Sequence, residues 1–143
     1  MVVRRLVILL LVLAGMHGVT ARPAVAVSDP VRMTFDKAAV AAGVWEGTVS
    51  GDIEGTLRTV LLEVEESGAI WHVTFDWIIG SGECSFTARL DGVLNTRTGA
   101  VVMDGTVTEG CLLGARVHET GQLVDAATSR FTGSITAFPA TQG

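Results

Sequence analysis

From Ile70 to Ile79 the chain alternates with a period of two residues. Trp71, Val73, Phe75, Trp77 and Ile79 share one face; His72, Thr74 and Asp76 share the other, with Ile70 and Ile78 at its ends. A helix would need a period of 3.6, so this stretch can only be half-buried as a strand. One apolar face of this size must be covered, which demands further strands. The same period recurs along the rest of the chain after Gly43. It predicts strands at residues 44–50, 56–65, 69–79, 84–95, 100–109, 115–124 and 129–138. Thr, Val, Ile, Phe and Trp fill them, the residue types that suit a pleated surface. Turn residues punctuate them, among them Glu66-Ser67-Gly68, Gly80-Ser81-Gly82 and Thr96-Arg97-Thr98-Gly99. Residues 31–35 suggest an eighth strand. Residues 36–42 fit one helical turn or a loop equally well.

Short strands with close connections and no long helix define an all-β sandwich or barrel. An antiparallel up-and-down barrel of about eight strands is the expected form. One glycine pattern favours closure. Gly47, Gly55, Gly92, Gly105 and Gly133 each stand two residues from an apolar neighbour on both sides. That spacing puts glycine on the inward face in mid-strand, where it costs stability and serves a bend or bulge that lets a sheet coil. The alternative reading is a turn glycine, since Asp91-Gly92 and Asp104-Gly105 are also turn dipeptides.

The first 26 residues read as a leader rather than as part of the fold. Arg4 and Arg5 precede an unbroken apolar run over residues 6–14, followed by small residues. This is the three-part pattern of a secretory signal peptide, with cleavage after Ala21 or Ala26. The apolar run is too short to span a bilayer. Residues 27–143 then form one domain, secreted or periplasmic. The whole chain carries a net charge of −5, with 48% hydrophobic and 17% charged residues. Losing the leader removes basic residues and no acid. Such a chain is neither disordered nor built to bind nucleic acid, and it lacks a stable membrane anchor. It has no Tyr and a single Lys.

Export bears on Cys84 and Cys111, because an oxidising compartment favours a disulfide. The hairpin register supports the pairing independently. With residues 96–99 as the loop, Leu94 faces Val101, Gly92 faces Met103, Leu90 faces Gly105 and Ala88 faces Val107. Each pair is apolar or glycine. The same register sets Cys84 opposite Cys111, and a one-residue slip would destroy the match.

Chemistry-bearing motifs are sparse. His72 and Asp76 stand about 13 Å apart along a strand, too far for a direct pair. Each would need partners from adjacent strands, with the polar face turned into a lumen and the aromatics packed on another subunit. The plainer arrangement puts the aromatic face in the core and His72 and Asp76 in solvent. Glu119 is a third acid–base candidate, should it be buried. His72 and His118 with scattered acids lack close ligand spacing, so no metal and no cofactor is expected.

The segment Ser85-Phe86-Thr87-Ala88-Arg89-Leu90-Asp91-Gly92, the loop from Gly110 to Gly114-Ala115, Gly121, and Phe131-Thr132-Gly133-Ser134-Ile135 together resemble the allene oxide cyclase and dirigent barrel superfamily. The resemblance implies a closed eight-stranded barrel with an apolar lumen, often trimeric. No motif here matches that family's catalytic residues, and none is carried over. Gly43-Val44-Trp45 resembles the opening strand of the calycins, the lipocalin and avidin group, with Arg130 placed to pack over Trp45. Both resemblances imply a ligand-holding barrel. The leading reading is therefore a barrel that binds a small apolar ligand, with Trp45, Trp71, Phe75, Trp77, Phe86, Met103 and Phe131 as the inward set. A cyclase- or isomerase-like enzyme using His72, Asp76 or Glu119, and a structural or interaction module with a filled core, are the alternatives. A homo-oligomer is compatible with each.

Overall fold

A computed structural model describes residues 29–141. The leader expected over residues 1–26, with cleavage after Ala21 or Ala26, lies outside the described residues. Eight strands follow in chain order: β1 (Val31–Ala41), β2 (Val44–Gly51), β3 (Gly55–Ser67), β4 (Ile70–Gly80), β5 (Phe86–Asn95), β6 (Ala100–Gly110), β7 (Arg116–Asp125) and β8 (Arg130–Phe138). Each pairs antiparallel with its sequence neighbour, and β1 pairs with β8, so the sheet closes as an up-and-down barrel. Closure leaves no edge strand.

The first strand corrects the sequence reading. β1 runs unbroken through residues 36–41, where a helical turn or loop was an equal expectation. Its alanines carry helix propensity, but pairing with β2 on one side and β8 on the other overrides that weak preference. Along β1, Met33, Phe35 and Lys37 alternate into the interior.

The aromatic face of β4 is the inner one. Val73, Phe75, Trp77 and Ile79 are buried, whereas His72 is exposed and Asp76 pairs on the outside with Arg89. The arrangement that would have turned His72 and Asp76 into the lumen therefore does not hold. The cross-strand ion pairs Arg58–Glu46 and Arg130–Asp36 and a His118–Asp104 hydrogen bond also decorate the outer wall. Exposed pairs of this kind add little stability but keep the outer face polar.

The inward glycines sit in the strands rather than in turns. At Gly105 a Cβ would run into the Arg89 carbonyl oxygen of β5, and at Gly47 into the Asp36 carbonyl oxygen of β1. The same crowding by a neighbouring backbone holds at Gly55, Gly92 and Gly133. Glycine here lets adjacent strands fold tightly over one another, which is how the sheet curls shut. The register shifts lie elsewhere, at Ala39/Ala41, Leu61/Glu63, Thr87/Ala88 and Leu123/Asp125.

The β5–β6 hairpin has the register expected from Ala88–Val107 through Leu94–Val101. A shift between Thr87 and Ala88 then sets Phe86 opposite Gly110. Cys84 and Cys111 lie just past the strand ends, with Cα atoms 5.5 Å apart, and are joined as a disulfide. The link ties the β4–β5 loop to the β6–β7 loop at the lower end of the barrel.

Candidate functional site: a half-hollow lumen

The two ends of the barrel differ. At the lower end Met33, Val49, Leu57, Ile79, Phe86, Val117, Ile135 and Ala137 pack to near-complete burial. At the upper end, under the β1–β2, β3–β4, β5–β6 and β7–β8 hairpins, a cavity of about 230 Å³ remains. Eight-stranded barrels are just wide enough either to fill or to hold one small ligand. This one does both, at opposite ends.

Apolar side chains dominate the cavity wall: Trp45, Leu61, Trp71, Phe75, Met103 and Phe131 are among them. Trp45 and Phe75 meet edge to face, their ring centroids 5.5 Å apart. The Trp45 indole N–H donates to the Ser129 carbonyl oxygen at 3.0 Å, which fixes the ring at the rim. Arg130 does not pack over Trp45; it turns outward, donating from Nε to Asp36 Oδ1 at 2.9 Å. Of the seven expected ligand-facing residues, Trp45, Trp71, Phe75, Met103 and Phe131 line this space. Trp77 and Phe86 lie deeper, in the packed half.

Two ionisable groups also line the cavity, Lys37 and Glu119. They are the buried charged residues among the described residues, 6% and 1% exposed. Lys37 projects from β1 opposite Gly47 and Phe131. Its Nζ donates to the buried Thr59 Oγ1 at 3.1 Å. The ammonium lies 4.4 Å from the Trp77 ring centroid and 5.2 Å from that of Phe75, with Phe35, Trp45 and Phe131 also close. Aromatic faces stabilise a cation, but less well than water does. Glu119 projects from β7 between Met103 and Ile135. A Cβ at Gly121 would press on its Oε1, so that glycine makes room for it. Glu119 Oε2 is buried without a hydrogen-bond partner.

The electrostatics follow from burial. Desolvation pulls Lys37 down from 10.5 to about 8, opposed by the charge of Glu119. Desolvation likewise pushes Glu119 up from 4.5 to about 8, opposed by the charge of Lys37. The two groups form no direct ion pair, yet each feels the other across the lumen.

Of these two groups, sequence reasoning named Glu119, on condition that it be buried, and passed over Lys37. The signal was present: the chain's only Lys continues the inward alternation of Met33 and Phe35, and Lys is seldom fully buried. His72, Asp76 and Glu119 are not brought together, because the first two are outside. No three His, Cys, Asp or Glu side chains converge as a metal-ligand set among the described residues. Comparison with protein-family models, curated proteins and solved structures finds no match to this chain.

Proposed function

We propose that this protein is a secreted or periplasmic barrel that binds a small, uncharged and largely apolar molecule in its upper lumen. The observation that carries the reading is the cavity of about 230 Å³ walled by aromatic and aliphatic side chains, with one unpartnered carboxyl oxygen at Glu119. Apolar wall left facing water is unfavourable, and covering it is worth about 25 cal/mol per Å². The buried wall positions Val73 and Val101 carry small side chains that leave this space open. A bound apolar molecule offsets the cost and leaves the wall residues as they are. Cavities of about 150 Å³ accept a benzene ring, so the guest is the size of a substituted aromatic or a short branched hydrocarbon.

The buried charges argue for neutrality. One acid and one base already balance inside the lumen. A charged guest would leave a net charge in a low-dielectric space. A neutral guest with one polar end meets the Lys37 and Glu119 groups without that penalty. The ion pairs on the outer wall support a barrel that works in water rather than in lipid, where mid-strand charges are costly. The disulfide is consistent with the oxidising compartment that the leader implies.

Native mass spectrometry of the purified protein, followed by titration with 2-naphthalenemethanol while tryptophan emission is recorded, tests the reading. Trp45 and Trp71 border the cavity and should report binding with a saturable change. A flat titration with this and smaller aromatic alcohols, together with no co-purifying guest, would leave the filled-core module as the better account.

A further inference from the structure

The lumen holds the chain's only lysine, and six arginines carry the positive charge on the outside of the described barrel, at positions 32, 58, 89, 97, 116 and 130. A lysine used merely for solubility would stand among them. Lys37 instead lines the apolar cavity, donating one hydrogen bond to Thr59 Oγ1 and ringed by aromatic faces. Arg cannot lose its proton, whereas a desolvated Lys can become a nucleophilic amine. Across the same cavity stands Glu119 with its free Oε2. An amine and a carboxyl sharing an apolar pocket is the equipment for making and breaking an imine.

We propose that the guest is an aldehyde or ketone with an apolar body, and that Lys37 captures it reversibly as a Schiff base with Glu119 moving the protons. The proposal rests on the lumen-binding reading above. The unprotonated Nζ attacks the carbonyl carbon; a C–N bond forms and the π pair moves to oxygen. One proton passes from nitrogen to that oxygen by way of Glu119, giving a carbinolamine. Glu119 then protonates the hydroxyl, the nitrogen lone pair forms the C=N bond, and water leaves. The iminium returns its proton to Glu119. One carbonyl and one amine become one imine and one water, with no oxidant or reductant. Burial supports the chemistry, because it leaves part of the Lys37 amine unprotonated near neutral pH. It also retains a proton on Glu119 over the same range.

The single lysine makes the test clean, since the only other primary amine is the chain's N-terminus. Full-length exported protein is incubated with 2-naphthaldehyde and sodium cyanoborohydride at neutral pH, and adducts are located by intact mass and peptide mapping. One reduced adduct at Lys37 is expected, formed at least about tenfold faster than in the urea-unfolded chain. Glu119→Gln should slow trapping by about tenfold, and Lys37→Arg should abolish it. Should Lys37→Arg fail to fold, the wild-type peptide map still decides between Lys37 and the N-terminus. In parallel, 2-naphthalenemethanol reports binding without chemistry. If the alcohol binds but the aldehyde is trapped no faster than in urea, the Schiff-base proposal is overturned and the lumen reading stands. If neither compound binds, both fall.

Discussion

A carboxyl and an ammonium cost little in water and much when buried among apolar side chains, so Lys37 and Glu119 make stability depend on pH. Glu119 has a raised folded pKa, and the folded chain holds its proton while the unfolded chain releases it. Its contribution is fully present below about pH 4.5 and declines as pH rises toward about 8. Lys37 has a lowered folded pKa, so its cost is relieved as pH rises from about 8 toward 10.5. The pair therefore places a stability minimum near pH 8. Urea unfolding midpoints from pH 5 to pH 10 should trace that dip, and Glu119→Gln should flatten its acid side. A second contrast lies on β4. Phe75→Ala should lose about 3–5 kcal/mol as a buried aromatic is deleted, while His72→Ala on the outer face should stay within about 0.5 kcal/mol. Equal large losses would place both faces in contact with protein. The face of each of these residues was legible from alternation alone. Lys37 continues the alternation of Met33 and Phe35 too, but a charged side chain at an inward position reads as the end of a strand, so it was passed over.

At the level of elements, seven strands follow from period-two patterning to within two residues at either end. That accuracy has a physical source: each strand has one face in the barrel and one in solvent, so the pattern and the environment agree. β1 was legible only up to Phe35, since its second half owes its extended form to two flanking strands rather than to its own residues. The inward glycines make a sharp prediction. Gly105→Ala sets a methyl against the Arg89 carbonyl oxygen and should cost about 1–3 kcal/mol or more. Gly82→Ala, in a loop with open space around it, should be nearly neutral. Chemical denaturation of the two variants checks the difference. The Cys84–Cys111 link closes a separation of 27 residues. Its removal should cost about 3.5 kcal/mol on the chain-entropy account. Thiol titration of the unfolded, unreduced protein should find no free thiol, and reductant should lower the unfolding midpoint.

The molecule as a whole divides into a packed, disulfide-tied lower half and a hollow upper half. The closed barrel was legible as an architecture, from strand number and glycine placement. Whether its lumen was full was not, because alternation says which residues point inward and nothing about the volume they leave. The leader reading belongs to this scale too: the mature protein should begin at Arg22 or Val27, and N-terminal sequencing of exported material that returned Met1 would refute it. The central claim is that the upper lumen is a binding site. A crystal structure of the protein grown with 2-naphthalenemethanol tests it most directly. The account predicts the naphthalene ring between Trp71, Phe75, Met103 and Phe131, with the hydroxyl toward Lys37 and Glu119. A lumen filled by the protein's own side chains, with the alcohol absent or only on the outer wall, would contradict it.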